Sequence, residues 1–280
     1  MPITPHPPAD EGTLKHDLIT GLDALLAGSL PSAEMPVYTV QNHGGGVYTR
    51  NINNWAYSQV QAMTAISPWN SDSAFQKAGI LVSPRHVLFA THYRPADGST
   101  IRFVQADNTV VTRTLSGVID LPVTSPLYPD LAIAKLDSDV PTGISFAKVL
   151  PVGFEDKLPA NIQPERIPCA ATDQEEKLIV VDLANLPHDN STTEYCAMQI
   201  PVSALRLGFN EGLVGGDSGN PAFWFIGSDL VLLTMWSSAN SGGYGTSVAA
   251  FRNEINAAMT TLGGGYQLTT VDLSAYPSES

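Results

Sequence analysis

The stretch Gly215-Gly216-Asp217-Ser218-Gly219-Asn220-Pro221 sets a serine between an acidic residue and a glycine, just after two further glycines. Glycine lets the backbone turn tightly and leaves N–H groups open to a ligand, which is what stabilising a developing oxyanion requires. The same composition also suits a plain turn entering a β-hairpin. A serine hydroxyl becomes a useful nucleophile only when a base takes its proton. Of the six histidines, His6 and His16 fall in a leader region, His86 lies inside an apolar run, and His188 sits in a loop of Pro, Asn, Asp and Ser. His92 follows Val87-Leu88-Phe89-Ala90-Thr91, where a strand delivers a side chain to a rim. A catalytic imidazole needs a carboxylate to fix its tautomer and stabilise its charged form. Asp130 follows Tyr128-Pro129 and opens the apolar run 131–136, a place for a half-buried acceptor and equally for a simple turn residue.

The elements that must position these residues read as mostly β. Leu14, Leu18, Leu22, Leu25 and Leu26 fall at helical spacing and Gly28 follows as a stop, predicting a short amphipathic helix packed on the main body, behind a leader over 1–12. Residues 36–75, rich in Asn, Gly and Ser, predict irregular connections and short strands. From Gly79 to Thr91 two apolar strands flank Ser83-Pro84-Arg85, and 100–105 and 109–121 flank Ala106-Asp107-Asn108. Strands follow at 131–136, 177–183 and 197–202, then a hairpin of 221–226 and 230–236. The helix 249–262 ends at Gly263–Gly265, completing an all-β pattern with a C-terminal helix.

Composition narrows the partners. At 280 residues the chain is long enough for one or two domains and a sizeable core. With 43% apolar residues and a mean hydropathy of +0.02 it is neither low-complexity nor collagen-like. Fourteen basic residues against 27 acidic ones give −13, which argues against nucleic acid and anionic membrane surfaces as partners. No apolar run of about 18 residues is available for a bilayer. Cys169 and Cys196 cannot by themselves build a disulfide framework or a thiolate metal site, and pairing or two buried free thiols both remain open. The polar, Pro-rich beginning carries no export-signal core, as expected of an internal protein or of a mature form.

Taken together, Phe-Ala-Thr-His92, Asp130-Leu-Ala-Ile-Ala-Lys-Leu and Gly-Asp-Ser218-Gly-Asn-Pro, in that order, resemble the trypsin/chymotrypsin-like serine peptidases. That family shows Thr-Ala-Ala-His, Asp-Ile-Ala-Leu-Leu-Lys-Leu and Gly-Asp-Ser-Gly-Gly-Pro, then a hairpin ending in Ser-Trp-Gly and a final helix. Here Thr-Met-Trp236-Ser and the 249–262 helix stand in those places, so the resemblance spans roughly 75–262. It implies two six-stranded antiparallel β-barrels with a C-terminal helix, divided near 150–165: an N-terminal extension over 1–40, a first barrel over 41–155 carrying His92 and Asp130, a second barrel with the helix over 156–265 carrying Ser218, and a tail over 266–280. It further implies Ser218 as nucleophile, His92 as base, Asp130 as its orienting acid, an oxyanion hole from the N–H groups of Gly216 and Ser218, and a pocket of Gly212, Trp236, Ser237 and Gly243. Polypeptide substrates, a monomer, no cofactor, no metal, and a secreted or periplasmic setting come with the family.

The departures have consequences of their own. No Ile-Val-Gly-Gly lies about 40 residues before His92, so Asp217 must be held by something other than a freed N-terminus. Asn220 replaces a glycine, and Met235 replaces a serine that supports the aspartate, a role Thr234 could take over if the strand shifts. Gly212, six before the nucleophile, brings no carboxylate to the pocket floor and favours small or apolar side chains, although Glu211 is only one position away. His43-Gly44-Gly45-Gly46 suggests a lipase-type hydrolase, but every histidine precedes Ser218 and the Gly-x-Ser-x-Gly elbow is missing. Gly245-Thr246-Ser247-Val248-Ala249-Ala250 resembles a subtilisin nucleophile segment, but its partner motifs and alternating βα pattern are missing; in the trypsin-like reading it becomes a strand walling the pocket. His86 and His92 lack helical pairing and clustered carboxylates, which disfavours a metal enzyme. The alternative from another class is a catalytically silent trypsin-like fold serving as a binding or scaffold module.

Overall fold

The computed structural model describes residues 12–70, 77–123, 127–160, 162, 165–188, 193–238 and 242–279. Nearly all of the expected leader, His6 included, lies outside them. The first sheet comprises β3 (Ile66–Asn70), β4 (Lys77–Ser83), β5 (His86–Phe89), β6 (Thr100–Val104), β7 (Val110–Asp120) and β8 (Ala132–Leu136), after a small hairpin of β1 (Tyr38–Asn42) and β2 (Val47–Arg50). Its order is β3-β4-β5-β8-β7-β6, and the end strands β3 and β6 pack side by side, closing a barrel. β4, β5 and β8 are almost wholly buried, which is why their text is a near-continuous apolar run rather than an alternation. The β6–β7 turn carries Asn108 at φ +75°, a left-handed position that Asn tolerates.

The second sheet is built from β9 (Lys148–Val149), β10 (Pro168–Thr172), β11 (Leu178–Asn185), β12 (Tyr195–Gln199), β13 (Pro221–Ile226), β14 (Asp229–Met235) and β15 (Tyr244–Thr246). Its order is β15-β12-β11-β10-β13-β14-β9, and a bridge between Thr234 and Ser247 closes β14 onto β15. The six antiparallel strands match the expected barrel. β9 is an added edge strand from the inter-barrel linker, parallel to β14. The expected strand at 245–250 is shorter than its apolar text, because a 3-10 turn over Ala249–Phe251 leads into the C-terminal helix, Arg252–Leu262. That helix leaves the second barrel and packs on β7 and β8 of the first.

The helix expected near residue 14 is α1 (Leu14–Leu26), capped by Thr13 Oγ1, which accepts from His16 N at 3.2 Å. Leu14, Leu18, Leu22 and Leu26 are buried against β10 and β13. Arg206, itself 2% exposed, grips Asp23 of α1 through Nε at 2.7 Å and Nη2 at 2.8 Å, a bidentate pair that locks the helix to the second barrel. The cysteines are free and fully buried on the strands flanking β11, which settles the open pairing; Trp224 Nε1 donates to Cys169 Sγ at 3.1 Å. Among the described residues no helix is long and apolar enough to cross a membrane.

This packing makes a direct prediction. Leu14 is 0% exposed, so Leu14→Ala should cost about 2–4 kcal/mol in urea denaturation with an unchanged m-value. A helix serving only as a partner-binding arm would lose almost nothing.

Candidate active site

Three loops from two barrels bring the sequence-predicted residues together. β5 ends at Phe89 and His92 follows in a single 3-10 turn, Thr91–Tyr93, rather than on the strand itself. Asp130 lies two residues before β8, and Ser218 in the turn before β13. His92 Nδ1 is 2.6 Å from Asp130 Oδ2, and His92 N donates to Asp130 Oδ1 at 2.9 Å. On its other side His92 Nε2 is 3.0 Å from Ser218 Oγ. Both carboxylate oxygens are therefore committed to His92, one through the ring and one through the backbone, so the imidazole has little freedom to rotate. His92 is 47% exposed in its side chain and Asp130 20%, so the imidazole is open to solvent while the carboxylate is sheltered.

The second barrel pins Asp130 in place. Asp130 N donates to Thr246 Oγ1 at 2.9 Å, and Glu194, 6% exposed, accepts from Tyr128 N through Oε2. Thr234 does not take over support of the aspartate as the sequence suggested it could: its hydroxyl donates to Thr246 O at 2.9 Å. Thr246 holds Asp130 only by its backbone N–H, and Met235 is buried core.

The serine turn is held from below. Asp217 is 3% exposed, and its carboxylate accepts from Gln174 N at 3.0 Å and Val214 N at 2.6 Å. These two backbone donors hold the Asp217 carboxylate in place. Burial nevertheless pushes the Asp217 carboxyl upward from its usual range. Asn220 joins the turn to β10, its Oδ1 accepting from Thr172 Oγ1 at 3.0 Å and its Nδ2 donating to Asp217 O at 3.1 Å. Gly219 has φ +85°, and a Cβ there would stand 3.1 Å from Ala78 O of the first barrel, so this position needs glycine for conformation and for space. Among the described residues, the N–H groups of Gly216 and Ser218 donate to no protein acceptor.

The expected pocket residues are spread over different environments. Gly212 is exposed with nothing within 4 Å of a hypothetical Cβ, whereas Gly243 is buried. A Cβ on Gly243 would lie 2.3 Å from Leu213 Cδ1 and 2.8 Å from Trp236 Cζ3, so the Leu213 side chain and the Trp236 ring both lie against Gly243. Trp236 is 1% exposed, and Ser237 Oγ is buried without a hydrogen-bond partner. Glu211 is engaged by Lys177 Nζ at 2.8 Å. Among the described residues the other histidines stay apart from the site: His86 is fully buried between Ser83 Oγ at 2.8 Å and Gly263 O at 2.9 Å, with burial holding its pKa down. His43 Nδ1 meets Tyr48 Oη at 3.1 Å, and His188 Nδ1 lies 3.5 Å from Glu155 Oε1. Among the described residues no cluster of three His, Cys, Asp or Glu side chains could hold a metal ion.

The paired barrels and the C-terminal helix are a trypsin-like fold. Among solved structures, the human heparin binding protein superposes with a TM-score of 0.52 at 14% identity, covering 74% of this chain and 96% of that one. At that identity the likeness shows the fold alone. No protein-family model matches the chain, and no curated protein does.

The turn beneath the site titrates. Burial, aided by the charge of Asp217, raises the Asp173 carboxyl to about 7, although Oδ1 accepts from Glu175 N and Lys177 N at 2.9 Å. A carboxyl raised in the native state stabilises the fold fully below its unfolded pKa of about 4, and that contribution is lost as pH rises through about 7. Asp173→Asn keeps the accepting oxygen and removes the titration. Its urea midpoint should fall less than that of the wild type between about pH 4 and pH 8.

Proposed function

We propose that this chain is a serine endopeptidase that cleaves exposed polypeptides through an acyl-enzyme. The observation that carries the reading is the unbroken hydrogen-bonded series Ser218–His92–Asp130 across the two barrels. Ser218 Oγ attacks the scissile carbonyl carbon while His92 Nε2 takes its proton. Asp130 holds Nδ1–H and stabilises the imidazolium. The developing oxyanion is met by the unengaged N–H groups of Gly216 and Ser218. His92 then protonates the leaving amine; water attacks the ester with His92 again as base, the Ser218 Oγ–acyl bond breaks as His92 returns the proton to Oγ, and the carboxylic acid product leaves.

In this proposal the first barrel, over 41–155, supplies base and acid, and the second, over 156–265, supplies the nucleophile. An extension over 1–40 precedes them and a tail over 266–280 follows, and of these α1 and the stretch from Thr269 to Tyr276 brace the barrels. Gly212, Trp236, Ser237 and Gly243 line the side-chain slot. Leu213 crossing towards Gly243 makes that slot shallow, which favours small apolar side chains. The protein acts as a monomer without cofactor, in a secreted or periplasmic setting. The heparin binding recorded in the human protein's name is not carried over, because a net charge of −13 repels polyanions.

A fluorophosphonate probe needs a base-activated serine but no known substrate. The wild type should gain one adduct by intact mass and Ser218→Ala none. Asp130→Asn should lower turnover by about 10⁴-fold while leaving the urea midpoint near that of the wild type. A folded wild type that takes no adduct would point instead to a silent binding or scaffold module.

A further inference from the structure

We infer that Gln174, which carries no local signal in the sequence, is a positioning residue that sets the orientation of the Gly215–Gly216 peptide and thereby keeps Gly216 N–H turned to meet the oxyanion that forms when Ser218 attacks. The inference rests on the serine-hydrolase reading above. In a trans peptide the C=O and N–H point in opposite directions, so whatever fixes the Gly215 carbonyl also fixes the Gly216 donor. Two glycines in succession do not choose that orientation by themselves. Gly216 sits at φ +113°, and nothing lies within 4 Å of a hypothetical Cβ on Gly215. Glycine moves between such conformations at little cost.

Gln174 grips three consecutive residues of this turn. Its Nε2 donates to Gly215 O at 3.3 Å, turning that carbonyl towards the glutamine and the Gly216 N–H away from it. Its carboxamide lies over Gly216, with Oε1 2.4 Å from where a Cβ would stand. Its backbone N–H holds Asp217 Oδ1. Gln174 is in turn set by a turn that cannot easily move. Asp173 Oδ1 caps it, Lys177 Nζ bridges Glu175 at 2.7 Å and Glu211 at 2.8 Å, and the segment before β1 is stitched to it through Val37 N to Glu176 O and Leu178 N to Met35 O, both 2.8 Å. Glu211 begins the same stretch that ends at Ser218, so the ion pair and the carboxamide hold both ends of the loop.

The test uses the full chain with Gln174→Glu, which replaces the donor by an acceptor of similar shape, and Gln174→Ala, both of which retain the backbone N–H. The probes are a fluorophosphonate and p-nitrophenyl acetate. Three further readouts are KM, the urea midpoint and the downfield proton resonance of His92 Nδ1–H. The expected result is a fall of about 10- to 100-fold in labelling rate and kcat for both variants, somewhat less than outright loss of an oxyanion donor. KM should stay within about twofold, with the urea midpoint and the resonance unchanged. Active variants within about twofold of an active wild type would overturn the positioning role alone. A loss of activity that comes with a lowered midpoint or a lost resonance would overturn it too, as damage to the fold. A wild type inert to both probes would remove the serine-hydrolase reading, and this inference with it.

Discussion

The hydrogen bond from Ser218 Oγ to His92 Nε2 joins side chains that belong to different barrels, and a 3.0 Å contact tolerates very little sliding between them. Each barrel is stiff because its strands close on themselves and its core is packed with side chains such as Phe89 and Phe103 on one side and Phe223 and Trp224 on the other. Stiffness within a barrel does not fix the distance between barrels. That is set by contacts crossing the interface close to the site: Thr246 and Glu194 reach from the second barrel to the Tyr128–Asp130 segment, and Gly219 brings the serine turn against Ala78. Asp130 of the first barrel is thus held by the barrel that carries Ser218.

Beneath the serine, burial imposes a second constraint. A carboxylate that is 3% exposed needs donors, and two backbone N–H groups meet the need for Asp217. Because these donors come from Gln174 and Val214, the arrangement of the serine turn is tied to the β10–β11 turn and, through Glu176 and Leu178, to the segment before β1. The region that resembles no part of the trypsin-like pattern is therefore connected to the centre of it.

Much of this was legible from the sequence for a definite reason. His92, Asp130 and Ser218 sit at the ends of strongly apolar runs, so local patterning placed them at strand termini and their order supplied the rest. α1 and the C-terminal helix were legible from leucine spacing and glycine stops. β10 was not: Pro168-Cys-Ala-Ala-Thr172 holds little β-branched or aromatic character, and its place is earned by pairing with β11 and β13. β9 has two residues and exists only through its neighbours. Thr246 and Gln174 carry no local signal either. Their roles come from partners 116 and 43 residues away along the chain, a relation that single-sequence patterning does not encode. The cysteine question was open for the same kind of reason, since only the strand order shows that β11 runs between the strands bearing the two thiols.

The C-terminal residues fasten the back of the molecule. His86 Nε2 meets Gly263 O, Lys135 Nζ donates to Leu262 O, Val149 exchanges hydrogen bonds with Thr269 and Val271, and Lys157 Nζ donates to Tyr276 O. All of these partners are synthesised after Ser218. On a ribosome the first barrel can close and the second can begin to form while the strap that fixes one against the other is still unmade. A nascent chain that already carries His92, Asp130 and Ser218 therefore still lacks the strap that spans the two barrels behind them.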